Sequence, residues 1–166
     1  VLIREERASD AGPIAEVTAA AFRDHPFSRQ TEPFIIRGLR DAGALALSLV
    51  AQDGERVVGH VAFSPVAMSD GTTGWYGLGP VSVLPEHQGQ GIGQVLIREG
   101  LARLKARGAR GCVLVGDPAY YRRFGFRSPT GLVHEGVPPE VFLALPFDGP
   151  VPHGEVTFHP AFRATA

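Results

Sequence analysis

One cysteine stands in this 166-residue chain, which excludes an internal disulfide. That residue, Cys112, lies in the apolar stretch Gly111 to Val115 and reads as a small buried side chain. No apolar run is long enough to span a bilayer, so no membrane partner is expected. Charge of either sign is not in surplus: 16 Lys and Arg face 17 Asp and Glu, for a formal net charge of −1. A basic footprint is therefore missing, and nucleic-acid binding is not expected. The patterns C-x-x-C, H-E-x-x-H and G-x-S-x-G do not occur, so neither a metal site nor a serine hydrolase is supported. The first residues, Val1 to Arg7, have too short an apolar part for a signal peptide, which points to a cytoplasmic protein. Repeats and low-complexity tracts are also lacking. A length of 166 residues with 44% hydrophobic content suits a single domain spanning 1–166.

Glycine is plentiful, and its densest use is Gln88-Gly89-Gln90-Gly91-Ile92-Gly93. An apolar stretch, Val81 to Leu84, enters this segment through Pro85. An amphipathic one, Ile92 to Arg107, leaves it. A glycine turn between a strand and the first turn of a helix offers unpaired N–H groups and the positive end of the helix dipole. Glycines also let the main chain approach a phosphate with no Cβ in the way. The local reading is a phosphate cradle. A P-loop would need Gly-Lys-Ser/Thr, and Ile92 and Gln94 stand in the wrong places. A dinucleotide fingerprint would need a third glycine where Gln94 or Leu96 stands, although Asp117 supplies an acid after the next strand.

The rest of the chain frames this junction. Leu2 to Arg4 reads as a strand. A helix follows, capped by Ser9 or Asp10, with Ile14, Val17, Thr18, Ala21 and Phe22 at helical spacing. A second helix starts near Thr31 and Pro33 and ends before Gly43. Strands over Leu45 to Gln52 and Arg56 to Pro65 flank an Asp53-Gly54 turn, and another runs from about Thr73 to Leu84. That antiparallel meander is not the alternation of a doubly wound fold. The helix from Ile92 buries Gly93, Leu96, Ile97, Gly100, Leu101 and Leu104. Gly100 inside it implies a close contact with the sheet. Gly111 to Val115 forms a strand parallel to its predecessor, and two or three short strands lie between Leu132 and Phe158. Gly79-Pro80 should interrupt pairing on one side of its strand.

The run Val81-x-Val83-x-Pro85-Glu86-His87-Gln88-Gly89-x-Gly91-Ile92-Gly93 resembles the coenzyme A signature of the GNAT superfamily of N-acetyltransferases. Tyr120-Tyr121-Arg122-Arg123-Phe124-Gly125-Phe126 is similar to the Tyr-x-x-x-Gly-Phe segment of that family. The resemblance covers Val1 to Phe126, most specifically Leu78 to Phe126. It implies an α+β GNAT acyl-CoA N-acyltransferase fold. Its central mixed, mostly antiparallel twisted sheet is splayed at the cofactor slot and flanked by helices. It also implies acetyl-CoA as cosubstrate. The pyrophosphate would rest on Gln88, Gly89, Gln90, Gly91, Ile92 and Gly93, and the pantetheine arm along Val81, Ser82 and Val83. An oxyanion site near Val81 and Tyr121 as the acid that protonates the departing thiolate follow from the same resemblance. The short link Gly116-Asp117-Pro118-Ala119 departs from the family's Asn-bearing connection.

No general base is marked: Glu86, His60, His87 and His25 are open candidates, but Glu86 and His87 read first as loop or cap residues of the cofactor motif, and His60 reads first as a satisfied core histidine. The expected acceptor is a small or moderately sized primary amine or a peptide amine, shaped by Phe22, His25 and Phe27. The expected state is a monomer or homodimer. The other reading is an acyl-CoA-binding regulatory module without turnover, which needs the glycine loop but not Tyr121.

Overall fold

The computed structural model describes residues 1–166, which form two compact units. The first comprises Val1–Ser64, Gly79–Gly100 and Pro160–Ala166; the second comprises Pro65–Leu78 and Leu101–His159.

In the first unit, β1 (Leu2–Glu5) pairs antiparallel with β2 (Leu47–Asp53), and β2 with β3 (Arg56–Pro65). The hairpin closes at Asp53 opposite Arg56, with Gly54 at φ 61°. The turn therefore sits on Gly54-Glu55, one residue later than the sequence suggests, because the positive φ belongs at its first inner position. The later part of β5 (Trp75–Val83) lies beside β3.

Two faces of β3 do different work. Gly59 looks toward Ile92 and Leu96 of α3 (Ile92–Ala106), and a Cβ on Gly100 would stand 2.3 Å from the Phe63 ring. Gly100 is thus where the helix backbone meets the sheet, as its place in the helix implies. On the alternate side His60 and Ser64 are buried.

Helix α1 (Ala11–Phe22) lays Thr18 against Ser82, with 3.4 Å between the hydroxyl oxygens. Asp10 occupies the position before α1 but does not cap it. Its carboxylate turns back to accept from the Arg7 N–H at 2.6 Å and from both Arg4 nitrogens at 2.7 and 3.0 Å. A buried carboxylate is better compensated by a guanidinium fork than by one helix N–H. Helix α2 (Glu32–Asp41) buries Ile35 and Leu39 against Ala44, and the turn Pro160–Arg163 packs Ala161 and Phe162 on them.

In the second unit, the start of β5 pairs in parallel with β6 (Gly111–Val115), and β6 pairs antiparallel with β8 (Phe142–Pro146). A second small sheet joins β4 (Ala67–Met68), β9 (Gly154–Thr157) and β7 (Leu132–Val133). Met68, Trp75, Val113, Leu132, Phe142, Ala144 and Val156 fill the core of this unit. Gly111 is required beneath Trp75, since a Cβ there would come within 2.4 Å of the indole. Helix α4 (Pro118–Tyr121) is capped by Asp117, whose carboxylate accepts from the Ala119 N–H at 2.9 Å.

Candidate active site

Strand β5 ends at Val83, and a single 3-10 turn, Pro85–His87, leads into the glycine segment. The turn is pinned on three sides. The Leu84 N–H donates to the Val58 carbonyl at 2.9 Å, the His87 N–H donates to Leu84, and the Gln88 side-chain amide donates to the Val83 carbonyl at 3.0 Å. Gly89 and Gly91 then take φ of 77° and 83°. A Cβ on either would meet nothing within 4 Å. These glycines are therefore demanded by backbone conformation, not by packing, and their outer faces are open. The first intrahelical bond runs from Val95 N–H to the Gly91 carbonyl, at 3.1 Å. The N–H groups of Ile92, Gly93 and Gln94 precede it and lack an acceptor within the helix. Ile92 anchors the turn by burying its side chain beside Gly59.

The residues singled out in this unit fall into distinct settings. Val81 and Val83 are half-buried on β5. Ser82 is buried, and its hydroxyl is spent on Thr18: Thr18 donates to the Ile14 carbonyl at 2.7 Å, so Ser82 must donate to Thr18. Only the Ser82 main chain is left for a ligand. Gln88, Gly89, Gln90 and Gly91 are exposed. The register of β5 with β6 covers Trp75 to Gly77, so the stretch carrying Val81 and Val83 has one strand edge without a β6 partner.

Tyr121 belongs to the second unit. Its ring sits among Tyr120, Phe124 and Phe126, with centroids 5.0, 6.0 and 5.9 Å away. Burial, then the nearby Tyr120 and Cys112, push its phenol well above the ordinary value. Gly116 makes room for it, because a Cβ there would lie 2.6 Å from the tyrosine ring. Nothing in the sequence flagged Gly116 as part of this arrangement. Burial likewise pushes the Cys112 thiol up, so Cys112 is an inert packing residue.

Comparison with known proteins follows this geometry. A profile of the Acetyltransferase (GNAT) family matches residues 14–126. The chain belongs to the GNAT acetyltransferase family. N-acetyltransferase YhbS of Escherichia coli is 39% identical over 127 residues, covering 76% of this chain and 73% of that one. A GNAT family acetyltransferase from Brucella melitensis, solved in complex with acetyl-CoA, superposes with a TM-score of 0.88. It is 53% identical, over 97% of each chain. The Escherichia coli YhbS structure in complex with CoA gives a TM-score of 0.86 at 34% identity, over 99% of this chain and 93% of that one. The fold is the α+β GNAT fold, a mixed sheet flanked by helices. No helix is long and apolar enough to cross a membrane, and no group of three or more His, Cys, Asp or Glu side chains is gathered to hold a metal ion.

Proposed function

We propose that this protein transfers the acetyl group of acetyl-CoA to a primary amine. The observation that carries the reading is the glycine turn at the start of α3. Its positive-φ glycines face open space, and three helix N–H groups stand behind them. A pyrophosphate fits that setting: two negative charges meet a helix N-terminus and main-chain donors. The two superposed relatives solved with acetyl-CoA and CoA support the same ligand.

Along β5 the pantetheine arm takes the strand edge at Val81 and Val83, using main-chain groups. Ser82 contributes its backbone alone, since its hydroxyl serves Thr18. The thioester carbonyl is polarised by a main-chain N–H near Val81, which stabilises the tetrahedral oxyanion. The neutral amine attacks, its nitrogen loses one proton to water, the C–S bond breaks, and Tyr121 protonates the departing sulfur and later regains a proton from solvent. A phenol pushed up by burial is fully protonated at neutral pH, as an acid must be before it donates. Desolvation raises a thiolate's proton affinity as well, in the same direction as the phenol's.

Phe22, His25 and Phe27 form an aromatic edge at the end of α1, the first pair of rings tilted and the second edge-on, with centroids 5.7 and 6.1 Å apart. Such an aromatic edge suits an acceptor chosen by shape. CoA release from acetyl-CoA, followed with a panel of primary amines and short peptides, tests the reading. Amine-dependent release is the expected result. Tight acetyl-CoA binding with no release across the panel would make the protein a binding module instead.

A further inference from the structure

The glycine turn has no packing of its own. Gly89 and Gly91 hold positive φ with open space beyond their α-carbons, so the segments on either side must fix them. On the helix side Ile92 does this by burial. On the strand side the bonds from His87 to Leu84 and from Gln88 to Val83 are local, and they set the shape of the Pro85–His87 turn. Its place in the fold depends on longer ties, and these come from the tip of the β2–β3 hairpin.

The register of that hairpin explains the reach. Ala51 stands opposite Gly59 but Gln52 stands opposite Val57, so Val58 is an extra residue on β3. Such a bulge bends its strand and sharpens the local twist. The Val58 carbonyl accepts from the Leu84 N–H at 2.9 Å, just before the 3-10 turn. Beyond the bulge, the closing pair of the hairpin, Asp53 and Arg56, reaches the turn itself. Arg56 Nη2 donates to Glu86 Oε1 at 3.2 Å. Asp53 Oδ2 lies 3.6 Å from His87 Nε2, an electrostatic contact too long for a hydrogen bond. The Glu86 carboxyl is held below the usual range by its own N–H first, and also by Arg56 and His87, with burial opposing. It therefore meets Arg56 as an anion. His87 Nδ1 is buried without a partner, so Nε2, facing Asp53, is the polar end that ties His87 to the hairpin.

We propose that Asp53 and Arg56 are positioning residues for the cofactor: through Glu86 and His87 they hold the Pro85–His87 turn so that the glycine turn receives a pyrophosphate without rearranging. The inference rests on the acetyl-CoA reading above. Where only a fraction of the molecules holds the receptive form, the apparent Kd rises by the inverse of that fraction. Glycines lose more freedom on ordering than other residues, so this turn is sensitive to what holds its flanks. The side chains of Asp53, Arg56 and Glu86 are 58, 62 and 54% exposed, and ion pairs so exposed contribute little to global stability. Their effect therefore belongs in cofactor affinity and not in the melting temperature. Its sign separates positioning from bare charge. Asp53 and Glu86 are anions on or beside a turn that binds an anion. Removing them tightens acetyl-CoA binding if charge alone acts, and weakens it if they hold the turn.

Isothermal titration of acetyl-CoA at fixed ionic strength tests this. Glu86→Gln should bind about threefold more weakly, and Asp53→Asn/Glu86→Gln about tenfold, each with an unmoved melting temperature. Arg56→Gln should weaken binding in the unsubstituted protein and much less in the Glu86→Gln background, the non-additivity of a direct pair. In CoA release with ethanolamine, phenethylamine and trialanine, the acetyl-CoA KM should rise by the same factors while kcat at saturating acetyl-CoA stays within about twofold. Unchanged or tighter binding in Glu86→Gln, equal losses from Arg56→Gln in both backgrounds, or a fall in kcat in place of the rise in KM overturns the proposal. Failure of the cofactor reading has a different signature: the unsubstituted protein does not bind acetyl-CoA.

Discussion

The two compact units bury different kinds of side chain. Every buried polar or charged group, Asp10, Thr18, Ser48, His60, Ser64 and Ser82, belongs to the first. The second is packed with Trp75, Val113, Phe142 and their apolar neighbours, and its buried thiol, Cys112, is inert. A buried hydroxyl or carboxylate costs stability unless it is paired. The first unit meets most of that cost with directed bonds: Arg4 to Asp10, Ser82 to Thr18, Arg40 and Ser48 to Glu6, and Ser48 with His60; Ser64 Oγ is left without a partner. It also carries the glycine turn. The second unit carries the acid we propose, Tyr121, shaped by apolar and aromatic surroundings. Polar order and ligand chemistry thus go together on one side of this contrast, and plain packing dominates the other.

Removing that acid should have the largest effect. Tyr121→Phe keeps the ring and removes its proton, so kcat should fall about 10²-fold or more while acetyl-CoA affinity holds. Tyr120→Phe is the control and should retain activity. Gly116→Ala tests the same point sterically, because its Cβ would displace the Tyr121 ring. Steady-state kinetics should show lost kcat with cofactor affinity kept, since a shift of about 1 Å can cost a large factor.

Acid should separate the units next. The folded His60 pKa is lowered from 6.5 to about 4, so the unfolded chain protonates first. Stability present at neutral pH is then lost as pH falls from about 6.5 toward 4, by about 3 kcal/mol in all. The bonds from Arg4, opposed by burial, hold Asp10 below the usual carboxylate range, and Glu6 is also lowered. Their contribution is present above the ordinary carboxylate pKa and disappears below it, in the same direction. Urea melts between pH 7 and 4 measure this. His60→Leu should flatten the upper part of the curve, and a curve unchanged by that substitution would contradict the assignment.

Packing effects are smaller. Gly100→Ala gains about 1 kcal/mol of helix propensity. It also drives a methyl into the fully buried Phe63, which costs about 1–3 kcal/mol, so the net should be a lower melting temperature. Smallest of all is Phe27→Ala. With 89% of its surface exposed, Phe27 contributes little to stability. The acceptor KM should change while the acetyl-CoA KM stays within about twofold, the pattern of lost uniform binding.

What the sequence made legible follows the range of the physics. Gly89, Gly91 and Gly108 announce themselves because a positive φ at a junction is a local demand. Helix α3 and strand β3 begin where the sequence places them, at Ile92 and Arg56, and Gly100 pointed to its close contact. The sheet of β4, β9 and β7 was not legible, since two of its strands are only Ala67–Met68 and Leu132–Val133 and their partners are distant in sequence. The same limit hid Asp10, whose choice of Arg4 over a helix cap depends on where β1 lies. It hid the Glu6–Ser48–His60 chain too, because a diagonal pair exists only once the register is set.

The central claim is that the glycine turn at the start of α3 holds acetyl-CoA. Isothermal titration of acetyl-CoA into Gly91→Glu and Gly91→Ala tests it most directly. Both variants strain a residue at φ 83° alike, by about 1–2 kcal/mol, but only the first sets a negative charge against the pyrophosphate. With both variants folded by circular dichroism, affinity should fall at least about 10²-fold in Gly91→Glu, a loss of about 2.7 kcal/mol or more, and much less in Gly91→Ala. Equal affinities in Gly91→Glu and the unsubstituted protein would contradict the account.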